Sequence, residues 1–73
     1  MAPEEALDEV DERVFQYIKR YDFEQYAWDS AAAAAALGVS VTRIYHAIHK
    51  LQFHKRREFF VYFKDGGLRI QTE

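Results

Sequence analysis

The sequence predicts a small α+β domain in which three helices precede a C-terminal β-hairpin. Three observations support this prediction: apolar residues at helical spacing near the N-terminus, two helix-forming segments joined by a short link, and two strand-forming runs joined by a turn. With 73 residues and a mass of 8.6 kDa, the chain has room for one domain, which we assign to residues 1–73.

The first helix is expected over about residues 4–20, where apolar side chains recur at a spacing of about 3.6 residues. Pro3 suits its first turn, and the acidic residues beside it suit the positive end of the helix dipole. The aromatic segment 21–28 breaks the helical period and favours a short strand or an extended linker. The apolar stripe consists of Leu7, Val10, Val14, Tyr17, Ile18 and Tyr21.

The second helix is predicted at residues 30–37, where six consecutive alanines provide high helix propensity. Asp29 or Ser30 can cap its N-terminus, and Gly38 can supply a left-handed stop. Ser40 can cap a third helix over about residues 41–52. The two helices are therefore joined by a tight link of the kind that a helix-turn-helix requires.

The hairpin is predicted at residues 59–72, where an aromatic run and an alternating run flank Asp65-Gly66. Asp65-Gly66 or Gly66-Gly67 can form a two-residue turn with positive φ angles; we favour Asp65-Gly66, and a turn there fixes the register of the two strands. The expected cross-strand pairs are Phe63 with Leu68, Tyr62 with Arg69, and Val61 with Ile70.

Charge is distributed unevenly along the chain. In residues 1–29, nine acidic residues against three basic ones give −6, and in residues 30–73, seven basic residues against three acidic ones give +4. A basic half indicates a polyanionic partner, although each half could also simply solvate its own surface. The chain has no cysteine, its longest apolar run is too short for a membrane span, and its N-terminus is acidic, so we expect a soluble intracellular protein.

The third helix carries the clearest functional signal. Its apolar arc contains Ile44, Ile48 and Leu51 together with Val41. The remaining arc is expected to be exposed, contains only hydrogen-bond donors and includes no acidic residue; its members are Thr42, Arg43, His46, His49 and Lys50. A helix fits the major groove of DNA, where such donors meet base-edge and phosphate acceptors. The alternative is an ordinary solvated face that is basic by chance.

Residues Leu37–Leu51 resemble the helix-turn-helix of bacterial and archaeal transcription regulators. The matching positions are Ala34, Leu37, Gly38, Val39, Ser40, Ile44, Ile48 and Leu51. With the hairpin that follows, the chain is similar to a minimal winged helix-turn-helix DNA-binding domain. The resemblance implies that the third helix enters the major groove and that the hairpin, the wing, lies along the DNA backbone or minor groove.

The same resemblance implies roles for individual residues. Thr42 and His46 occupy positions that read base edges, whereas Arg43 and Lys50 are expected to contact phosphates. Lys64 at the wing tip and Arg69 on its outer face also suit phosphates, and the run Lys55–Arg57 either does the same or protects an edge strand. The complete expected DNA-binding set is Thr42, Arg43, His46, His49, Lys50, Arg56, Lys64 and Arg69.

The alanine helix must expose some apolar positions, among them Ala31, Ala32 and Ala35. Either the helix packs closely beneath Phe15, Tyr26 and Trp28, or these alanines bind a second copy or another protein. The latter would suit the main alternative function, a winged-helix protein–protein interaction module or a subunit of a larger complex. RNA binding is a third possibility.

Catalysis, a cofactor and a metal are not expected. Ser30 and Ser40 are interpreted as helix caps, and Gly66-Gly67 is interpreted as a turn rather than a phosphate-binding loop. His46 and His49 lie one helical turn apart, but no carboxylate near them in sequence completes a metal site. The sequence thus predicts a non-enzymatic protein that binds double-stranded DNA in the cytoplasm, on the nucleoid, as a transcription regulator or an architectural component, with no membrane partner.

Overall fold

The computed structural model describes residues 4–72. Its elements are α1 (Glu9–Arg20), α2 (Ser30–Leu37), α3 (Val41–His54), β1 (Phe59–Lys64) and β2 (Gly67–Thr72). The two strands form one antiparallel sheet, and the molecule measures 32 × 27 × 20 Å along its principal axes. The predicted α+β class, with three helices followed by a hairpin, is confirmed.

Helix α1 begins five residues later than predicted. The Asp8 carboxylate accepts a hydrogen bond from the Asp11 amide at 2.9 Å, and the Asp11 carboxylate accepts one from the Asp8 amide at 2.8 Å. This reciprocal capping box satisfies amides that have no partner inside the helix, so Glu9 becomes the first helical residue. Pro3, the expected first-turn residue, lies outside the described residues.

Helices α2 and α3 form at the predicted positions because their local signals act as expected. The carboxylate of Asp29 accepts from the Ala32 amide at 3.1 Å, and the hydroxyl of Ser40 accepts from the Arg43 amide at 3.0 Å. Gly38 ends α2 with a left-handed φ of 69°. Helix α3 extends two residues past its predicted end, to His54.

Within residues 4–72, no single helix is long and apolar enough to cross a membrane. Helices α2 and α3 together meet the criteria of length and composition, but the chain bends by 103° between them.

The hairpin has the predicted register. Phe63 lies opposite Leu68, and Val61 lies opposite Ile70. Both turn residues have positive φ angles, 54° at Asp65 and 77° at Gly66, as the predicted primed turn requires.

Segment 21–28 covers the outer edge of β2 without forming a regular strand. The Trp28 amide donates to the Leu68 carbonyl at 2.7 Å, and the Ile70 amide donates to the Phe23 carbonyl at 3.0 Å. Gly67 permits this close approach, since a Cβ at that position would lie 2.9 Å from the Cβ of Ala27. The expected extended linker thus protects one edge of the sheet.

The core lies where the helices meet the inner face of the hairpin. Its buried apolar residues are Val14, Phe15, Ile18, Trp28, Ala33, Ala34, Ile44, Ala47, Ile48, Leu51, Phe59 and Ile70. Only Ala33 and Ala34 of the alanine run are buried, so α2 leaves its remaining alanines at the surface. Phe15 and Trp28 join this core as expected, whereas Tyr26 is 65% exposed.

Candidate nucleic-acid interface

The face of α3 opposite the core is nearly neutral rather than basic. Ile44, Ala47, Ile48 and Leu51 are buried as a helical stripe, with Lys50 beside them. The exposed side chains of this helix from its start to Phe53 are Val41, Thr42, Tyr45, His49, Gln52 and Phe53, with His46 half-buried. As predicted, no acidic residue occurs on α3, but its two cations are turned away from this face.

Lys50 is only 2% exposed, so its predicted place on the exposed face is wrong. Its ammonium nitrogen lies 2.5 Å from Oδ2 of Asp11, whose side chain is completely buried on α1. A buried carboxylate is costly unless a cation and hydrogen bonds compensate it. Lys50 is therefore buried against Asp11 and does not lie on a surface that DNA could contact.

Arg43 is also engaged by α1 and does not project freely as expected. Its Nη2 lies 2.6 and 2.7 Å from the two carboxylate oxygens of Asp8, and its Nη1 lies 2.9 Å from Oδ1 of Asp11. The side chain remains 19% exposed. Two carboxylates of α1 therefore occupy the guanidinium that the sequence assigned to a phosphate.

This cluster lowers the pKa of Asp11 below its ordinary value. Burial alone would raise that pKa, but the hydrogen bond from Lys50, the Asp8 amide and the Arg43 guanidinium together outweigh the burial. Asp11 is therefore an ionised carboxylate that fixes α1 against α3.

Arg69 is the third predicted phosphate ligand whose side chain is engaged within the fold. Its Nη1 donates to the Glu24 carbonyl at 3.0 Å and also to the Gln25 carbonyl. The side chain is half-buried because segment 21–28 folds over the edge of β2, and it stabilises that segment. Its predicted free position on the outer face of the wing is wrong.

Five residues of the predicted set remain accessible. Thr42 and His49 are exposed on α3 beside the half-buried His46, Arg56 follows the helix, and Lys64 ends β1. The Arg56 guanidinium lies 5.9 Å from the centre of the Phe53 ring. Among residues 4–72, neither Arg56 nor Lys64 forms an ion pair, and the exposed Arg57 beside Arg56 has none either.

Sequence reasoning missed the apolar part of this surface. Tyr45 is 57% exposed and Val41 is 38% exposed. With Trp28, Ala31 and Leu68 they help to line an open groove of about 580 Å³ between α2, α3 and the hairpin. A signal was present, because Tyr45 lies at about 40° on the helical wheel, between the apolar arc and His49 at about 80°.

In the described part of the chain, no three His, Cys, Asp or Glu side chains converge as a metal site would require.

Comparisons with protein-family models, curated proteins and solved structures find no match to this chain. The similarity to winged helices therefore rests on the motif Ala34–Leu51 and on the order of the elements.

Proposed function

We propose that this chain is a winged helix-turn-helix protein that binds double-stranded DNA without catalysing a reaction. Helix α3 would enter the major groove with Thr42, His46 and His49, and Arg56 and Lys64 would contact phosphates. It would act in the cytoplasm, on the nucleoid, as a transcription regulator or an architectural component.

One observation carries the proposal: the outer face of α3 contains no acidic side chain, and α3 follows α2 after the short link Gly38–Ser40, an order that resembles a helix-turn-helix. The acids of α1 are partly neutralised by Arg43 and Lys50, so they repel a polyanion less than the sequence suggests. Thr42 and the histidines can donate to base-edge acceptors. Arg56, Arg57 and Lys64 supply positive charge that no described carboxylate neutralises.

The test is fluorescence anisotropy with a random DNA duplex at about 50 and 200 mM salt. About three phosphate contacts, from Arg56, Lys64 and the neighbouring Arg57, correspond to a log–log salt slope of about −2.7, so affinity should fall about 40-fold between the two conditions. Absence of binding at the lower salt concentration would overturn the proposal.

Variants locate the interface. Arg56→Ala should weaken binding on every sequence and reduce the salt slope by about one, since a phosphate contact is lost. Arg20→Ala is the matched control, because Arg20 is also an exposed cation, at the end of α1. Equal effects of the two substitutions would show that only net charge matters and would contradict this placement of the interface.

The alternative is a winged-helix protein-interaction module, favoured by the apolar groove beside Val41 and Tyr45. Such a module would have little affinity for duplex at any salt concentration. Tyr45→Ala would then abolish capture of its protein partner, whereas the DNA proposal predicts a minor effect of this substitution on nonspecific duplex binding. Exposed Ala31, Ala32 and Ala35 would extend the same docking face.

A further inference from the structure

The outer edge of β1 has unpaired backbone groups. In a hairpin closed by a two-residue turn, Lys64 and Gly67 form the first hydrogen-bonded pair, so Phe60 and Tyr62 also bond to β2. The amides and carbonyls of the alternate residues Phe59, Val61 and Phe63 then point away from β2. Among residues 4–72, no backbone or side-chain group bonds to them.

The alternation along β2 supports this geometry. Leu68 and Ile70, the partners of Phe63 and Val61, direct their backbone groups away from β1 and bond to Trp28 and Phe23. The two edges of the sheet are therefore different: the chain covers the edge of β2 and leaves the edge of β1 open.

The open edge is strongly apolar. Phe63 is 80% exposed and Phe60 is 41% exposed, which is unusual for large aromatic side chains. Edge strands are normally protected by an internal charge, a proline or a bulge, and β1 has none of these before its last residue, Lys64. The strand therefore has both the hydrogen-bonding groups and the side chains to accept a further strand.

We propose that two copies of this chain pair antiparallel through β1, with Val61 on the two-fold axis. Phe59 of each copy then lies opposite Phe63 of the other, and the two Val61 residues face each other. Each of these three residue pairs exchanges two backbone hydrogen bonds, so all six open groups of each strand are satisfied. The proposal rests on observations other than those that support DNA binding, but the two share Lys64, which would contact the second copy in the pair.

Charge complementarity supports a second copy as the occupant. Glu58 directly precedes β1, and the same register places it opposite Lys64 of the second copy. By symmetry this opposite-charge pair occurs twice. Within one copy Lys64 lacks a described ion pair, and Glu58 makes only an exposed contact of 3.9 Å with Lys55.

Other registers that align the open groups are less favourable. A shift by two residues in one direction places Glu58 opposite Tyr62 of the second copy, and the opposite shift places Lys64 opposite Phe60. Each shift also reduces the three hydrogen-bonded pairs to two. The register centred on Val61 is therefore the one in which both charges and hydrogen bonds match.

The pairing also accounts for the exposed aromatic side chains. Phe63 would lie beside Phe59 of the second copy, a buried residue whose ring centre is 6.3 Å from that of Phe15 in the core. On the other face of the sheet, Phe60 would lie opposite Tyr62 of the second copy. Aromatic cross-strand pairs of this kind stabilise antiparallel sheets.

Sedimentation equilibrium of the full chain, up to about 1 mM protein, tests the proposal, since even a Kd near 1 mM would be detected there. The average mass of the unmodified protein should rise with concentration from the 8.6 kDa of one chain toward twice that value. Glu58→Lys and Lys64→Glu should each remain monomeric, because each places like charges opposite one another. An equimolar mixture of the two variants should regain the doubled mass, since their charges are complementary only between copies.

A structural role within one chain cannot produce that rescue on mixing. Monomeric unmodified protein at the highest concentration, or a mixture no heavier than its components, would overturn the proposal.

Cysteine substitution tests the register, and the natural chain contains no cysteine that would interfere. In a hydrogen-bonded pair the Cα atoms are about 5.5 Å apart, within disulfide range, so Val61→Cys should form a covalent dimer on oxidation. Phe60→Cys is the matched control, because the two copies of residue 60 would lie diagonally, about 7–8 Å apart. Equal cross-linking of both variants, or of neither, would contradict the register.

Discussion

At the scale of single residues, Asp11 has the most demanding environment in the described chain. Its carboxylate is completely buried and is contacted by Lys50, Arg43 and the Asp8 amide. An unpaired carboxylate in this position would cost several kcal/mol, so its cations are held by the fold. Lys50 and Arg43 are therefore structural cations.

Lys50→Ala should lower the free energy of unfolding by about 3–5 kcal/mol, because it leaves a buried carboxylate without its main partner. Lys64→Ala removes an exposed lysine and should change stability by less than about 0.5 kcal/mol. Urea denaturation followed by circular dichroism measures both. Equal stability of the two variants would contradict the structural role of Lys50.

The lowered pKa of Asp11 makes stability depend on pH in a defined direction. The unfolded chain takes up a proton near the ordinary value of 3.8, whereas the folded chain does so at lower pH. The stabilisation is therefore complete above this value and is lost as the pH falls through the folded pKa. Urea midpoints between about pH 2 and 6 should show this loss, and Asp11→Asn should be less stable at neutral pH and lack this part of the pH dependence.

At the scale of elements, the positions predicted correctly are those that local chemistry determines. Gly38 and Ser40 fix the link between α2 and α3, and Asp65-Gly66 fixes the register of the hairpin. The positions of the Arg43 and Lys50 side chains are determined instead by carboxylates more than 30 residues away in the sequence, and no local pattern reveals these contacts. One clue existed, because both lie at about 180–200° on the helical wheel, near the buried Ala47 at about 240°.

The contact between Gly67 and Ala27 determines how segment 21–28 packs against β2. Gly67→Ala would place its Cβ 2.9 Å from that of Ala27 and should cost about 1–3 kcal/mol as the segment is displaced. Ala27→Gly in the same chain should recover most of that loss. Urea unfolding and the fluorescence of Trp28 measure the double-mutant cycle; strict additivity of the two substitutions would show that they do not interact.

At the scale of the whole molecule, folding brings part of the acidic half against part of the basic half. Asp8 and Asp11 neutralise the cations of α3, and free positive charge remains at Arg56, Arg57 and Lys64. The candidate DNA surface is consequently less basic than the sequence suggested, and under the proposed function α1 would limit its affinity for DNA.

Asp8→Asn tests whether α1 limits the affinity for DNA. Asn retains the N-cap function of Asp8 but cannot hold Nη2 of Arg43 by charge, so that end of the guanidinium becomes available to a phosphate while Nη1 stays beside Asp11. The affinity for duplex should rise, and the salt slope should steepen by up to about one. Glu12→Gln is the control, since it removes an exposed acid from α1 without releasing Arg43. If the two variants bind alike, Asp8 does not restrain Arg43.

The unequal edges of the sheet also determine how far the protein can assemble. Phe23 and Trp28 already occupy the outer edge of β2, so any added strand must join at β1. A sheet with two open edges can grow into a filament, whereas one open edge is used up when two copies meet. In the proposed pair of copies, segment 21–28 would therefore limit assembly to a dimer, and displacing this segment would allow a filament to grow from both ends.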